Sequence, residues 1–132
     1  MSSYNQHQKR KNTVADTIVG YCVINASDTK IATLSDGVDD AGAPYSMPNS
    51  ATGARIEIEF TSPSNEMRVV TASGFDPDVN LKNGEAIFEN KTVLLLGKTS
   101  NTNFDPSELV NFKAAIKSGC TAKLQVTFYR NA

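Results

Sequence analysis

The seven residues Ala54-Arg55-Ile56-Glu57-Ile58-Glu59-Phe60 carry the clearest alternation of apolar and charged side chains in the chain. Successive side chains of a β-strand point to opposite faces of a sheet. The stretch therefore predicts a strand with one buried apolar face and one charged face, formed by Arg55, Glu57 and Glu59, that meets water. Residues 121–129 repeat this period near the end of the sequence. There the inward positions are Ala122, Leu124, Val126 and Phe128.

Other short segments between turn residues extend the β pattern. Residues 17–24 place Ile18, Gly20, Cys22 and Ile24 on one face and Val19, Tyr21 and Val23 on the other. Both faces are apolar, so we expect this strand to be covered on both sides. The run Val93-Leu94-Leu95-Leu96 predicts another buried strand, and residues 29–34, 66–72 and 85–88 predict weaker ones. The dipeptide Asn83-Gly84 is typical of a hairpin turn.

One helix is predicted before the last strand. Asp105-Pro106-Ser107-Glu108 supplies an N-cap acid, a proline at the first helical position and a glutamate two residues later. Leu109, Phe112 and Ile116 then form an apolar stripe over about three turns, and Gly119 suits a left-handed exit. Together these elements predict an all-β, mainly antiparallel fold. We expect a β-sandwich or jelly-roll-like barrel with one short helix.

The length and charge distribution predict one domain preceded by an arm. A chain of 132 residues with 39% hydrophobic residues can build one core, but two cores would each be too small. Residues 1–13 contain three of the 13 basic residues and none of the 14 acidic ones. We therefore assign residues 1–13 to an extended basic arm and residues 14–132 to a single β-sandwich domain. The arm lacks an apolar stretch, so no secretory signal is expected. No apolar run approaches the ~20 residues that span a bilayer.

The inventory of reactive side chains disfavours an enzyme. The only histidine, His7, lies in the arm, and neither a glycine-rich phosphate loop nor a CxxC pair occurs. We expect no catalytic, cofactor-binding or metal-binding residue. Cys22 and Cys120 are interpreted as two buried thiols, and the sequence does not decide whether they pair. Glu57 and Glu59 are interpreted as solvated charges on a strand.

Residues 35–53 are rich in Gly, Pro, Ser, Asn and Asp and predict a long surface loop. Asp36, Asp39 and Asp40 in this loop offer clustered oxygen ligands that a hard cation could use. Their spacing lacks the DxDxDG pattern, so a solvated acidic loop is the preferred interpretation. Cation binding by this loop stays an open question at this point.

Nucleic-acid binding has little support. Lys9, Arg10 and Lys11, with Tyr4 nearby, provide three charges for salt-sensitive phosphate contacts. The rest of the chain is net acidic and opposes such binding. Tyr129 beside Lys123 and Arg130 is the best candidate for base stacking, and it is a weak one.

Several features in residues 54–130 resemble small virion structural proteins of tailed bacteriophages. These are the turn Ser73-Gly74-Phe75-Asp76-Pro77, the hairpin start Asn83-Gly84-Glu85, the segment Asn111-Phe112-Lys113-Ala114-Ala115-Ile116, and Gly119 followed by the strand Thr121-Ala122-Lys123-Leu124-Gln125-Val126-Thr127-Phe128-Tyr129-Arg130. Such proteins occur as head decoration, head-fibre or tail-associated β-domains. The long loop of residues 35–53 and the basic arm do not belong to the pattern.

The resemblance implies a non-enzymatic virion protein, made in the host cytoplasm. We expect a capsid decoration or stabilising protein that binds the head shell, or neighbouring copies of itself, as a homo-oligomer, with a trimer as the first guess. A tail, neck or baseplate component and a carbohydrate- or host-surface-binding β-module are the alternatives. No membrane partner is expected. The residues expected to contact partners lie in the arm and the acidic loop: Tyr4, Lys9, Arg10, Lys11, Asp36, Asp39, Asp40 and Tyr45.

Overall fold

The computed structural model describes residues 16–96, 98–99, 104–105 and 107–131. Its strands are β1 (Asp16–Ser27), β2 (Ala32–Thr33), β3 (Gly53–Phe60), β4 (Met67–Val70), β5 (Glu85–Ile87), β6 (Lys91–Leu96), β7 (Lys98–Thr99), β8 (Phe104–Asp105), β9 (Lys113–Ile116) and β10 (Thr121–Asn131). A 3₁₀ turn covers Leu34–Asp36, and a helix, α1, covers Ser107–Asn111.

Two four-stranded antiparallel sheets pack face to face. Sheet A has the strand order β1-β10-β3-β6, and sheet B has the order β2-β9-β4-β5. The inward side chains of both sheets form one core, which contains Ile24, Ile56, Leu124, Met67 and Phe128. The structure thus confirms the expected all-β sandwich fold with a short helix.

The two most regular sequence patterns form the centre of sheet A. β3 pairs with β10 from Gly53 opposite Tyr129 to Phe60 opposite Ala122. Ile56 lies opposite Val126 and Ile58 lies opposite Leu124, and all four side chains are buried. Glu57 and Glu59 are exposed on the other face, as predicted.

The predicted helix is too long. α1 ends at Asn111, and Lys113–Ile116 forms β9, which pairs with β2 on one side and β4 on the other. Asp105, the predicted N-cap, lies in β8, and Pro106 is outside the described residues. Helix propensity is a weak preference, and a three-turn helix is marginal in water. The ladder hydrogen bonds to two neighbouring strands outweigh it. Gly119 does take a positive φ of 86°, but in the turn between β9 and β10.

Two strands that were expected to be buried on both faces are edge strands of sheet A. β6 pairs with β3, and its Leu94 side chain is 63% exposed while Leu95 is fully buried. β1 contains a bulge between Ile18 and Gly20. A bulge inserts one extra residue, so it reverses the side to which the preceding residues point. Ile18 therefore lies opposite Tyr129 on the face away from the core, not beside Gly20 and Cys22 as predicted.

Asn83-Gly84 does not form the tip of a hairpin. Asp78 and Asn83 face each other across a tight turn, and the Asp78 carboxylate accepts the backbone N–H groups of Asn80 and Leu81 inside it. Lys82 carries a positive φ of 60° in that turn, and Gly84 follows it with a φ of 103°. The position requires glycine for a second reason as well, because an added Cβ would lie 2.9 Å from the Val69 carbonyl oxygen.

Candidate association surface

The acidic loop uses its first carboxylate within its own structure. Asp36 ends the 3₁₀ turn, where its Oδ1 accepts a hydrogen bond from Lys30 Nζ at 2.6 Å. Its Oδ2 accepts the backbone N–H of Thr33 at 2.8 Å. Burial opposes the charged form, but these hydrogen bonds outweigh it and hold the pKa of Asp36 below its ordinary value.

Asp39 is likewise engaged locally. Its Oδ1 accepts the backbone N–H groups of Ala41 and Ala43, each at 2.9 Å, which stabilises the turn that contains Gly42. Asp40 is exposed and stands next to Tyr21 at the edge of sheet A. Among the residues that the structure describes, no three His, Cys, Asp or Glu side chains form a group that could hold a metal ion.

Tyr45 anchors the loop to the core of the sandwich. Its ring stacks on that of Phe128, with centroids 6.1 Å apart and planes 12° apart. Its backbone N–H donates to the Gly37 carbonyl oxygen at 2.9 Å. Gly20 lies directly below the hydroxyl, where any Cβ would overlap it. The half-buried Tyr45 thus presents little of its ring to a partner.

The remaining residues expected to contact partners, Tyr4, Lys9, Arg10 and Lys11, lie outside the described residues. Their role in docking stays a prediction. The chain enters β1 at Asp16, which pairs with Asn131 near the other end of the chain. Asp16, the first described residue, therefore lies at the same end of sheet A as Ile18 and Tyr129.

The largest feature that the sequence did not reveal is the face of sheet A that points away from the core. We call it the outer face of sheet A. The strand register arranges its side chains in four rows that run across the strands. From the arm end these rows are Ile18, Tyr129 and Gly53; Tyr21, Thr127, Arg55 and Leu94; Val23, Gln125, Glu57 and Thr92; and Asn25, Lys123 and Glu59.

The first two rows make half of this face apolar. Tyr21 is 62% exposed, Leu94 63% and Ile18 47%, and the three occupy the two edge strands on either side of the centre. Single exposed apolar residues are ordinary, but these three lie on one sheet face, around the Tyr129 ring and the Arg55 side chain, and such a grouping favours an association site. The other two rows are polar and carry Glu57, Glu59 and Lys123.

The centre of the apolar half is held in place by Arg55 and Tyr129. The Arg55 guanidinium carbon lies 5.6 Å from the centre of the Tyr129 ring, within range of a cation–π contact. Thr127 is only 5% exposed although it points outward, because it lies between the side chains of Tyr21 and Arg55. A shallow depression of about 350 Å³ lies between the second and third rows, and Asp40 and Glu57 are among the residues that line it.

Other exposed apolar side chains are scattered. Phe75 and Leu81 lie in the connection between β4 and β5, Phe88 lies just after β5, and Val110 lies on α1. The sequence offered one signal for the outer face of sheet A, namely that β1 and β6 are apolar on both sides. Such strands can be covered on their second face by other parts of the same chain, which is what we expected, or by another molecule.

The two cysteines do not pair. Both are buried and free. Cys22 lies opposite Val126 on β10, whereas Cys120 precedes that strand by one residue. Six residues along a strand separate the two positions by about 20 Å, far beyond the reach of a disulfide. Burial raises the pKa of the Cys22 thiol to about 11.

Comparisons with known proteins do not add a family to this description. No family model, no curated protein and no solved structure matched the chain. In the described part of the chain, no helix has the length and hydropathy of a membrane span.

Proposed function

We propose that this chain is a non-enzymatic structural protein of a virus particle and that it works by packing against its neighbours. The observation that carries the proposal is the apolar half of the outer face of sheet A, with Tyr21 and Leu94 both more than 60% exposed. A small domain that exposes several large apolar side chains on one sheet face is suited to association.

The connectivity of the sandwich supports the same proposal. Successive strands cross repeatedly between the sheets: β1, β3, β6 and β10 lie in sheet A, and β2, β4, β5 and β9 lie in sheet B. Eight strands in two sheets linked in this way correspond to a jelly roll, an architecture that virus capsids use, as do lectin domains and cupins. A fold alone does not establish a function, so the outer face must carry the argument.

Within a particle, we propose the role of a capsid decoration or stabilising protein. The basic arm of residues 1–13 would contact the head shell or a neighbouring copy, and contacts repeated over many copies would make a modest interface hold. Asp16, the first described residue, lies at the end of sheet A that carries the apolar half, and this position supports a common neighbour for both contacts. Tail, neck and baseplate components would use the same surface.

A second candidate is a subunit that builds the shell itself. The jelly-roll connectivity favours it, since sandwiches of this kind can pack side by side into closed symmetric layers. The two candidates differ in what the purified chain does alone. A shell subunit forms closed particles, whereas a decoration protein forms at most a small symmetric oligomer.

The test is to purify the full chain and follow its mass by light scattering while its concentration rises, with negative-stain electron microscopy of the same samples. Closed particles would support the shell subunit. A small oligomer that binds to purified phage heads would support the decoration role. A chain that stays monomeric at every concentration and binds no particle would contradict the proposed function.

A further inference from the structure

We propose that the outer face of sheet A binds the same face of a second copy of this chain, related by a two-fold axis that runs parallel to the strands between β10 and β3. This inference deepens the proposed function by naming the partner. It rests on one part of that function, namely that the chain associates with its neighbours.

The charge pattern selects the direction of the axis. A two-fold rotation about a line along the strands places β10 over β3 of the second copy and leaves each row level with itself. Lys123 and Glu59 are neighbours in one row, on β10 and β3. The rotation therefore puts Lys123 over Glu59 of the second copy, and it does so twice in each dimer.

The same rotation matches the remaining rows. In the third row it places Gln125 over Glu57 of the second copy, a pairing in which an amide can donate to a carboxylate. In the second row it places Tyr21 over Leu94 of the second copy and Arg55 over Thr127, whose hydroxyl can accept a hydrogen bond from the guanidinium. An axis across the strands would instead place Arg55 over Glu57, but it would put Glu59 over Gly53 of the second copy and desolvate that carboxylate without a partner.

Lys123, Glu57 and Glu59 are available for these contacts. The ion pairs found within the described residues join Lys30 to Asp36, Lys91 to Glu85, Lys113 to Asp76 and Lys117 to Glu66. Glu57 and Glu59 are exposed, and Lys123 is partly exposed.

The crossing angle between the two sheets does not prevent these contacts. Aligned sheets cross at about 30°, which shifts the ends of the rows by roughly one strand spacing. Long Lys and Glu side chains can span that offset.

The area is sufficient for a specific but weak contact. Four strands about 4.8 Å apart, with four rows about 6.8 Å apart, cover roughly 500 Å² on each copy. The total of about 1,000 Å² lies at the lower limit for specific interfaces. Such a contact suits an assembly in which many copies reinforce one another.

The experiment uses two single charge reversals in the full chain, Glu59→Lys and Lys123→Glu. Each variant by itself places two like-charged pairs across the proposed interface, so we expect its self-association to weaken at least about tenfold. Mixing the two variants creates a heterodimer in which both pairs are again opposite in charge, and association should return to the wild-type level. Sedimentation velocity measures all three samples, and circular dichroism checks that each variant is folded.

The mixture separates this interface from effects inside one chain. Glu59 and Lys123 are also cross-strand neighbours within a chain, and mixing cannot relieve a repulsion there. Lys82→Glu, a charge reversal in the exposed turn between β4 and β5 that breaks none of the ion pairs named above, is the matched control and should associate like the wild type.

Each outcome is decisive. Restoration by mixing supports the inference. Weakened variants that mixing does not restore contradict the two-fold arrangement. If the single variants associate as well as the wild type, the interface is wrong and the proposed function stands. A wild-type chain that stays monomeric contradicts the interface, and if it also binds no particle it contradicts the function.

Discussion

Replacing Gly20 by alanine tests how the long loop is attached to the sandwich. A Cβ at Gly20 would overlap the Tyr45 hydroxyl and lie 3.0 Å from Pro48 Cγ. Tyr45 cannot move away freely, because its ring stacks on Phe128 at 6.1 Å. Gly20→Ala must therefore push Tyr45 off this ring.

The expected cost follows from these contacts. Overpacking of a well-packed site costs about 1–3 kcal/mol, and the lost aromatic pair about 0.5–1.5 kcal/mol. We expect Gly20→Ala to lower the free energy of unfolding by about 3 kcal/mol. In a Tyr45→Ala background the obstructing hydroxyl is absent, and the same substitution should cost less than about 1 kcal/mol.

Urea unfolding followed by circular dichroism measures the four free energies of this double-mutant cycle. Gly53→Ala is the control: its added methyl group would lie 3.1 Å from the Leu95 carbonyl oxygen, away from Tyr45. Its cost should be the same in both backgrounds. If Gly20→Ala costs equally with and without Tyr45, to within about 0.5 kcal/mol, the proposed anchoring of the loop is refuted.

Two further predictions concern the Cys22 thiol and the arm. Burial raises the pKa of Cys22 from its ordinary value of 9.0 to about 11 in the folded chain. The free energy of unfolding is therefore unaffected by this thiol below pH 9.0 and falls by about 1.4 kcal/mol per pH unit between 9.0 and about 11, where only the unfolded chain loses the proton. Denaturation at pH 7.5, 9 and 10.5 should therefore show a steeper loss for the wild type than for Cys22→Ala, and equal slopes would contradict the prediction. Deleting residues 1–13 should leave the midpoint of thermal unfolding unchanged, because the described core begins at Cys22, and should abolish binding to the particle. Unchanged occupancy on the particle, counted by electron microscopy, would exclude a docking role for the arm.

Local sequence patterns predicted the strands that have one buried apolar face and one polar face exposed to solvent. In residues 54–60 every second side chain is charged, so only one register can bury the apolar ones. The same holds for β10 from Ala122 to Phe128. These two strands lie at the centre of sheet A, and the sandwich fold follows from them together with the turns between the weaker strands.

The errors arose where tertiary structure overrides a local preference. Residues 112–116 satisfy both a helical stripe and a strand alternation, with Phe112, Ala114 and Ile116 buried. The neighbours β2 and β4, which are distant in sequence, select the strand. The bulge in β1 has no local signature, so the side on which Ile18 lies could not be read from the sequence.

The candidate site was missed for a related reason. Its rows join residues from four strands, such as Tyr21 and Leu94, and they exist only once the register is known. The sequence did show that β1 and β6 are apolar on both faces. It could not show that the second face of each strand is left uncovered by the described residues.

The most direct test of the central claim is to measure which side chains become protected on association. Hydroxyl-radical footprinting with mass spectrometry compares the full chain at a dilution where it is monomeric with the assembled chain. Tyr21, 62% exposed in the single chain, should lose most of its reactivity on assembly, while Phe75, 65% exposed and remote from sheet A, should keep it. A Tyr21 that is oxidised equally in both states would contradict the account.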